Sequence, residues 1–208
     1  MAPRTTNARK HLLEAARDVI RTRGFSGTTV DDLCRAAGVT KGAFFHHFES
    51  KERLGVAAAE FWSETTSALF AGAPYHQPDD PYDRLIAYLE FRKVLLAGDL
   101  PEYTCLVGTM AQEVYESAPA IRDACNASIS GHAMTLVDDI RAAMQARGVS
   151  GFTPESLALH TQAVIQGAFI LAKAGNSVTF AEDSVDHLIR YVKILFSKST
   201  EEENGPGS

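Results

Sequence analysis

Residues 27–54 read GTTVDDLCRAAGVTKGAFFHHFESKERL, and this stretch carries the signs of two short helices separated by a very short turn. Thr29 is placed to cap the first helix, because Asp32 follows three residues later as in a capping box. Gly38 is a residue type that ends helices, and Thr40 is placed to cap the next one. The spacing of these signals predicts a helix-turn-helix.

The Lys-Gly and His-His pairs of this stretch admit two other interpretations, a nucleotide-binding loop and a metal site. Lys41-Gly42 lacks the upstream glycine of a P-loop and follows no predicted strand. His46 and His47 are adjacent, and adjacent helical residues point about 100° apart, so they cannot share a metal ion without further ligands. We expect no metal and no cofactor, and we interpret the second helix as one that enters a nucleic-acid groove.

The second helix of the motif has an apolar face and a polar face. Phe44 and Phe48 are four residues apart and are expected to face the protein interior. Gly42 and Ala43 have no bulk, so the start of the helix can approach base edges closely. Lys41 can donate to a guanine or to a phosphate.

Phosphates are the second kind of DNA group that this segment can bind. Polar side chains and the N–H groups at a helix start fix phosphates without reading sequence. Two assignments stay open, because Thr40 can be a cap alone and Phe45 can be plain packing. The residues expected to contact DNA are Thr29, Thr40, Lys41, Gly42, Ala43, Phe45, His46, His47 and Lys51.

Charge is unevenly distributed along the chain. Residues 1–53 contain ten Lys/Arg and six Asp/Glu, a balance of +4, whereas residues 54–208 contain ten and twenty, a balance of −10. A basic segment on an acidic body indicates that one end meets phosphates while the remainder avoids them. We predict a DNA-binding domain over 1–53, a larger domain over 54–198 and a tail over 199–208 that is too polar to fold.

Apolar residues recur three or four positions apart through almost the whole chain, and no alternating run of β-branched residues is bounded by turn residues. This pattern predicts an all-α protein of about nine helices, with a small N-terminal domain and a larger C-terminal helical domain. The predicted helices cover approximately 6–23, 29–38, 40–47, 50–69, 82–97, 101–115, 118–147, 154–174 and 179–197.

The predicted helix over 154–174 is too apolar on too many sides to face water. It carries small residues, among them Gly167, that let another helix approach closely. The helix over 179–197 offers a matching apolar stripe, which consists of Val185, Leu188, Ile189, Val192 and Phe196. We predict that these two helices of each chain form a four-helix interface in a homodimer.

The helix-turn-helix segment resembles the DNA-binding signature of the TetR family of bacterial transcriptional regulators. The resemblance covers about residues 8–55 and rests on Gly24-Phe25, Thr29, Leu33, Ala37-Gly38-Val39, Lys41-Gly42, Phe44, His47-Phe48 and Lys51 at the family's spacing. It implies a homodimer, a palindromic operator of double-stranded DNA and a C-terminal domain that binds a small-molecule effector. It therefore implies a ligand-responsive repressor. Phe45 is a departure, because the family usually has a tyrosine there whose hydroxyl reaches a phosphate.

An effector pocket is expected from aromatic, sulfur-containing and polar residues in the larger domain. Large apolar side chains at helical spacing are more often plain core, and about half of the polar ones fit exposed positions. The residues expected to line the pocket are Trp62, Phe91, Leu95, Tyr103, Cys105, Met110, Glu113, Asn126, Met134, Gln166 and Phe169.

Cysteine usage leaves a second kind of switch open. Cys34, Cys105 and Cys125 are too few and too scattered for a disulfide framework, and their odd number fits reduced thiols. The segment YTCLVGTMAQEV, residues 103–114, resembles that of several TetR-type repressors, among them an electrophile-sensing one whose reactive cysteine stands at this place. Cys105 is therefore either structural or pocket-lining, or it is the switch of a redox or electrophile sensor with Cys125 as resolving partner.

Two further classes of protein are disfavoured by the sequence. No stretch approaches the roughly 20 apolar residues of a membrane span, and the charged N-terminus lacks the apolar run of a signal peptide, so we expect a cytoplasmic protein with no membrane partner. An all-α enzyme is the rival from another class, but the chain contains no HExxH, paired CxxC or GxSxG motif. We therefore expect no enzymatic activity.

Overall fold

The computed structural model describes residues 4–197, with side chains from residue 8 onward. Within this range the chain forms eleven α-helices, one short 3-10 helix and no strand, which confirms the predicted all-α class. The predicted tail over 199–208 lies outside the described residues. The elements are α1 Arg4–Arg23, α2 Val30–Ala37, α3 Lys41–His47, α4 Lys51–Ala71, the 3-10 helix Pro74–His76, α5 Pro81–Val94, α6 Leu100–Tyr103, α7 Leu106–Val114, α8 Pro119–Met134, α9 Val137–Arg147, α10 Pro154–Gly175 and α11 Thr179–Phe196.

Hydroxyl side chains cap several helix starts, among them the two caps predicted at Thr29 and Thr40. Thr29, Thr40, Ser50 and Thr153 each accept a hydrogen bond, at 3.1 Å, from the backbone N–H three residues further on. Each bond satisfies one of the four N–H groups that a helix start leaves without an intrahelical partner. A cap of this kind contributes about 1 kcal/mol, and it fixes the residue at which the helix begins.

The predicted helix over 101–115 is divided into α6 and α7. Thr104 and Cys105 are extended, with ψ angles of 155° and 125°. Cys105 is the N-cap of α7, and its Sγ accepts a hydrogen bond from the N–H of Gly108 at 3.4 Å. Tyr103, Leu106 and Met110 are all buried, so apolar spacing runs through the break and does not reveal it.

The predicted helix over 118–147 is also divided, into α8 and α9. The break lies at Thr135 and Leu136, where the N–H of Leu136 bonds to the carbonyl of Ala133 at 3.1 Å. This three-residue spacing tightens the last turn of α8 before α9 begins. Buried Ile121 and Ile140 lie on either side of the break, so the apolar stripe again continues across it.

The first compact unit comprises residues 4–73 and 97–132. In it α1 packs against α2, α3, α4, α6 and α7. Its fully buried side chains include Leu12, Ile20, Leu33, Phe44, Leu54, Met110 and Ile121. Burial of one such side chain contributes about 2 kcal/mol, whereas helices as short as α2 and α3 are unstable alone. The packing on α1 therefore holds the helix-turn-helix in place.

The second compact unit comprises residues 74–96 and 133–197. Here α5 packs against α9 and α11, and α10 packs against α9 and α11. The stripe of α11 predicted to face a partner chain is buried inside this unit; it consists of Val185, Leu188, Ile189, Val192 and Phe196. That part of the prediction is wrong, because helices of the same chain already pack against α11.

The two units do not coincide with the predicted division at residue 53. Helix α4, with α6, α7 and most of α8, belongs to the same unit as the N-terminal helices. The functional boundary at residue 53 stays a prediction, since packing alone does not decide which residues bind DNA. Among the described helices, none combines the length and apolar character that crossing a bilayer requires.

Candidate nucleic-acid interface

The first helix of the motif, α2, begins at a complete capping box. The Thr29 hydroxyl accepts from the N–H of Asp32 at 3.1 Å, and the Asp32 carboxylate accepts from the Thr29 N–H at 3.1 Å. The Thr29 hydroxyl also donates to Asp32 Oδ2 at 2.6 Å. These bonds from Thr29 lower the pKa of Asp32, which keeps the carboxylate charged at the helix start. The Thr29 hydroxyl is thus engaged in the helix cap, and its predicted contact with DNA stays a prediction.

The turn between α2 and α3 depends on a glycine. Gly38 has a φ of 65°, in the left-handed region that side chains with a Cβ adopt with strain. The N–H of Val39 bonds to the Cys34 carbonyl at 3.0 Å, as in a helix ending at a left-handed residue. Thr40 follows at once as the N-cap of α3, where it accepts from the N–H of Ala43 at 3.1 Å. The chain therefore passes from α2 to α3 within three residues, and the two helices pack against each other.

Helix α3 is anchored by its two predicted inward aromatics. Phe44 is fully buried and Phe48 is almost so, which confirms the predicted inner face. Their ring centroids are 5.9 Å apart, and the N–H of Phe48 bonds to the Phe44 carbonyl at 2.8 Å. These contacts fix the rotation of the seven-residue helix about its axis, so the identity of its outer face is determined.

The outer face of α3 carries the residues predicted to contact DNA. Lys41, Gly42, Phe45 and His46 are exposed, and Ala43 and His47 are partly exposed. Phe45 has 53% of its surface open to solvent, unusual for a ring of this size. A Cβ added to Gly42 would meet only the Thr40 hydroxyl at 3.8 Å, so the subunit itself does not require a glycine there.

Lys41 forms an ion pair with a residue of α2. Its Nζ lies 2.9 Å from Asp31 Oδ1 and donates to Oδ2 at 3.1 Å. The bond to the Asp31 carboxylate raises the pKa of Lys41. Both side chains are exposed, and an ion pair between exposed groups contributes little. Lys41 can therefore exchange this carboxylate for a phosphate at small cost.

Lys51 has a structural role that the sequence did not indicate. Its ammonium donates to the carbonyls of Phe25 and Thr28, at 2.9 Å each, and lies 4.4 Å from the Phe25 ring centroid. These bonds use two of its three N–H donors. Lys51 therefore holds the turn between α1 and α2, and its predicted phosphate contact stays a prediction that depends on the third donor.

A groove of about 310 Å³ lies beside the end of α3 and contains cations that the predicted set omits. It is lined by Arg9, His47, Phe48, Glu49, Arg53, Val56, Ala57 and Glu60. The Arg9 guanidinium lies 5.6 Å from the Phe48 ring centroid. Within residues 8–197 neither Arg9 nor Arg53 has an ion-pair partner. The sequence could have singled out Arg53 as a functional residue. It lies in the first turn of α4, where the helix dipole disfavours a cation.

The His46 and His47 rings contact each other edge to face, with centroids 4.9 Å apart. Across the part of the chain that the structure describes, no group of three or more His, Cys, Asp or Glu side chains is placed to hold a metal ion. The two rings lie on the outer side of α3, where His46 is exposed and His47 is partly exposed. There each can supply N–H donors to a phosphate.

The predicted pocket residues divide between the two units. Trp62, Tyr103, Cys105, Met110, Glu113 and Asn126 belong to the first unit, and Phe91, Leu95, Met134, Gln166 and Phe169 belong to the second. Tyr103, Met110 and Phe169 are buried, as expected of lining or of core. Glu113, Asn126 and Met134 are exposed. The lining assignment as a whole stays a prediction.

Trp62 lies beside a buried cation that the sequence did not single out. The Arg21 side chain is only 9% exposed, and its guanidinium lies 5.3 Å from the Trp62 ring centroid. It donates to the Glu102 carbonyl at 2.8 Å and to Asp18 Oδ1 at 3.1 Å. Burial lowers the pKa of Arg21, and the Asp18 carboxylate opposes that effect. Arg21 therefore ties α1 to α6.

In the second unit a buried polar pair was missed by the sequence analysis. Gln162 is 4% exposed, and its Nε2 donates to the hydroxyl of fully buried Tyr88 at 3.1 Å. The Tyr75 ring contacts the Tyr88 and Phe91 rings, with centroids 5.4 and 5.9 Å away. Burial raises the pKa of Tyr88 and raises that of Tyr75 to about 12. Gln162 precedes the predicted Gln166 by one turn, and its spacing gave no sign of burial.

The three cysteines are free thiols in different settings. Cys34 and Cys125 are buried, and Cys105 is partly buried at the start of α7. Burial, with a smaller contribution from the neighbouring Cys105, raises the pKa of Cys125 to about 12. A thiol with this pKa stays protonated at neutral pH and is a weak nucleophile.

Comparison with known proteins gives matches to both parts of the chain. The protein-family model described as "Bacterial regulatory proteins, tetR family" matches residues 12–58. A second family model, described as "Transcriptional regulator LmrA/YxaF-like, C-terminal domain", matches residues 81–183. The HTH-type transcriptional repressor DhaR of Mycobacterium sp. strain GP1 is 34% identical over 121 residues, or 56% of this chain. That alignment spans 57% of the length of DhaR, little more than half.

A second relative is similar both in sequence and in fold. The HTH-type transcriptional repressor NemR of Escherichia coli K12 is 29% identical over 158 residues, which are 73% of this chain and 67% of NemR. The crystal structure of reduced E. coli NemR superposes with a TM-score of 0.79 at 23% identity. The superposition covers 93% of this chain and 98% of the other, so the two proteins share one fold.

Proposed function

We propose, because the chain belongs to the tetR family of bacterial regulatory proteins, that it is a ligand-responsive transcriptional repressor. It binds a palindromic DNA operator as a homodimer, and a small-molecule effector alters its operator affinity. The observation that carries this proposal is the outer face of α3. Buried Phe44 fixes the inner face of the helix, so the polar residues of α3 and one phenylalanine ring face solvent.

In this proposal α3 lies in the major groove. Gly42, which the subunit does not need as a glycine, lets the helix start approach base edges. Lys41 leaves Asp31 for a guanine or a phosphate, and the exposed Phe45 ring contacts a thymine methyl or the sugar backbone. The remaining predicted residues bind phosphates, and so do Arg9 and Arg53 beside the end of α3.

The homodimer forms through α10 and α11. Their exposed apolar residues are Leu159, Ile170, Leu171, Phe180, Tyr191 and Ile194. A Cβ added to Gly167 would meet nothing within 4 Å, so a partner helix can approach α10 there. Two chains related by a two-fold axis present two α3 helices to two half-sites of a palindrome.

The effector is a small, mainly apolar molecule, and the predicted lining residues within each unit are separate candidates for its site. Polar anchors orient such a ligand, and Gln162 with Tyr88 is added to the predicted set because these groups are polar, buried and bonded to each other. An effector that binds one conformational state better than the other shifts operator affinity, and the coupling is reciprocal.

Selection from a randomised pool of duplexes tests the DNA-binding part of the proposal. We expect the wild-type protein to enrich a sequence with two-fold symmetry and to bind it with strong salt dependence. A screen of small aromatic and hydrophobic compounds by thermal shift then finds effectors. A compound at a hundredfold excess over its dissociation constant stabilises the folded protein by about 2.7 kcal/mol. Enrichment of no sequence, or stabilising compounds that leave duplex affinity unchanged, would contradict the proposal.

A redox or electrophile sensor is the second candidate, because Cys105 is a free thiol that is only partly buried at the start of α7. The Cys105 sulfur accepts a hydrogen bond from the Gly108 N–H at the start of α7, at 3.4 Å. Cys125, with its pKa of about 12, is poorly suited to be the resolving partner. N-ethylmaleimide should lower duplex affinity of the wild type but not of Cys105→Ser, and equal responses would exclude this candidate.

A repressor of this kind need not convert its effector chemically. Its operator lies in the cytoplasm, so we propose that the protein is located there. DhaR and NemR, the two relatives compared above, are transcriptional repressors. We therefore propose that the chain is not an enzyme. Incubation of an identified effector with the protein, followed by mass spectrometry of the small molecule, should recover it unchanged.

A further inference from the structure

Glu113, a residue predicted to line the effector pocket, contacts the turn between α1 and α2 instead. Its Oε2 accepts a hydrogen bond from the backbone N–H of Ser26 at 2.7 Å. The two residues are 87 positions apart in the chain and lie within the same compact unit. This bond therefore joins the last turn of α7 to the segment that leads into the helix-turn-helix.

The position of Glu113 breaks a local rule of helix stability. It lies in the last turn of α7, where the helix dipole disfavours an anion, and no basic residue occupies that turn. Departures of this kind are expected where a side chain serves a role outside its own helix. The Ser26 N–H supplies a partner for the carboxylate.

The turn is shaped to receive this carboxylate. Gly24 has a φ of 79°, and a Cβ at that position would overlap the Glu113 carboxylate. A side chain at residue 24 would therefore be strained by the backbone and would displace Glu113. The absence of a Cβ lets the carboxylate lie directly over the turn and reach Ser26.

Other bonds make the turn a rigid connection to α2. The Thr28 hydroxyl donates to the Gly24 carbonyl at 2.6 Å, and Thr28 is almost completely buried. Lys51 holds the carbonyls of Phe25 and Thr28 from the side of α4. Thr29, which begins the capping box of α2, follows directly. The turn thus receives one anchor from α4 and another from α7, and its placement sets where α2 begins.

We infer that Glu113 is a positioning residue for operator binding: through Ser26 it holds the turn between α1 and α2, and with it the helix-turn-helix, in the orientation that reads DNA. This inference rests on the proposed function. It also assigns a route for regulation, because Cys105 caps the first turn of the same nine-residue helix whose last turn carries Glu113. A change at Cys105 that shifts α7 moves the anchor of the turn.

The test compares Glu113→Ala and Glu113→Gln with Glu116→Ala, which removes an exposed carboxylate just beyond the end of α7. The probes are a duplex that the wild type selects from a randomised pool and a scrambled duplex of equal length. Exchange of the Ser26 amide is measured by NMR, and the thermal midpoint is recorded for each variant. A structural defect alone would lower the midpoint and weaken both duplexes together.

We expect Glu113→Ala to reduce the ratio of selected to scrambled affinity by about fivefold, the size of one solvent-exposed, charge-assisted bond. The Ser26 amide should exchange faster, and the midpoint should match that of Glu116→Ala. Glu113→Gln, which keeps an acceptor oxygen, should restore most of the ratio. An unchanged ratio in Glu113→Ala, or failure of the glutamine to restore it, overturns the inference. A wild type that prefers no duplex refutes the proposed function instead, and Ser26 exchange then still tests the anchor.

Discussion

Helix α3 and the pair α10–α11 both present large apolar side chains to solvent, but in different surroundings. On α3 a single ring, Phe45, stands among a lysine and two histidines. On α10 and α11 the exposed apolar side chains are numerous and include Ile194, with 70% of its surface open. Exposure alone therefore does not distinguish the two surfaces. Their chemistry does.

The difference indicates what each surface meets. Interfaces with DNA are polar, wet and positively charged, so one ring among hydrogen-bond donors fits such a partner. The core of a homodimer interface is more apolar than ordinary surface, so a group of aliphatic and aromatic side chains fits a second copy of the chain. The following predictions either separate these two roles or show that the distinction is wrong.

The largest effect is expected for Gly167→Arg on α10. A Cβ at this position meets nothing within 4 Å, and arginine is a better helix former than glycine, so the subunit should fold normally. The dimer dissociation constant should rise by about a hundredfold or more, as at an interface hot spot, and operator affinity should fall with it. Sedimentation velocity across a concentration series measures the fractions of monomer and dimer.

Gly131→Arg on α8 is the matched control, since a Cβ there also meets nothing within 4 Å. That variant should remain dimeric. If Gly167→Arg is as dimeric as Gly131→Arg at micromolar concentration, α10 does not form the interface.

A smaller effect is expected for the polar residues of α3. Lys41→Ala and His47→Ala should each weaken binding to a selected duplex. They should also reduce the slope of log affinity against log salt by about 1, the signature of one lost phosphate contact. Fluorescence anisotropy at several salt concentrations provides the slopes, and Arg122→Ala on α8 is a control whose charge change equals that of Lys41→Ala. Both variants must remain dimeric. Slopes equal to that of Arg122→Ala would remove α3 from the interface.

Removal of the carboxylate that pairs with Lys41 should strengthen duplex binding. Asp31→Asn releases the Lys41 ammonium from its ion pair and deletes an anion near the phosphates. We expect duplex affinity to rise by about threefold at low salt and by less at high salt, because exposed charges are screened. The same titration of Asp83→Asn, an exposed carboxylate on α5, controls for net charge. Weaker binding by Asp31→Asn would mean that Asp31 orients Lys41 for DNA.

The smallest effect concerns stability and should be confined to the second unit. Burial raises the Tyr75 pKa to about 12, from the ordinary tyrosine value of 10.0. Above pH 10 the unfolded chain therefore binds fewer protons than the folded one, and the free energy of unfolding falls as pH rises toward 12. Tyr75→Phe should flatten this alkaline loss by about 1 kcal/mol per pH unit. Urea titrations between about pH 9 and 11 measure it, and duplex affinity at neutral pH should be unchanged. An identical alkaline slope in the variant would contradict the assignment.

The fold class and the helix-turn-helix were predictable because local signals agreed with one another. Thr29, Asp32, Gly38 and Thr40 mark the helix ends through bonds within a few residues, and the structure contains each of these bonds. The breaks at Thr104 and Thr135 were not predictable from spacing. Apolar residues keep their helical period across both breaks, and only the backbone changes direction.

The candidate site was predictable as far as its residues act locally. The outer face of α3 follows from the four-residue spacing of Phe44 and Phe48. The partners of Lys51 and Glu113 lie 23 to 87 positions away, and no sequence pattern states them. The sequence assigned Lys51 as a phosphate ligand and Glu113 as a pocket residue, and the structure gives each a bond to the same turn.

The most direct test of the central claim is native mass spectrometry of the protein bound to its selected duplex. The duplex is used intact and with one half-site scrambled. We predict two chains on the intact duplex and a large loss of the complex when either half-site is scrambled, because the two α3 helices of a dimer each require their own half-site. A complex with one chain, or equal occupancy of the intact and half-scrambled duplexes, would contradict the account of a dimer that reads DNA through α3.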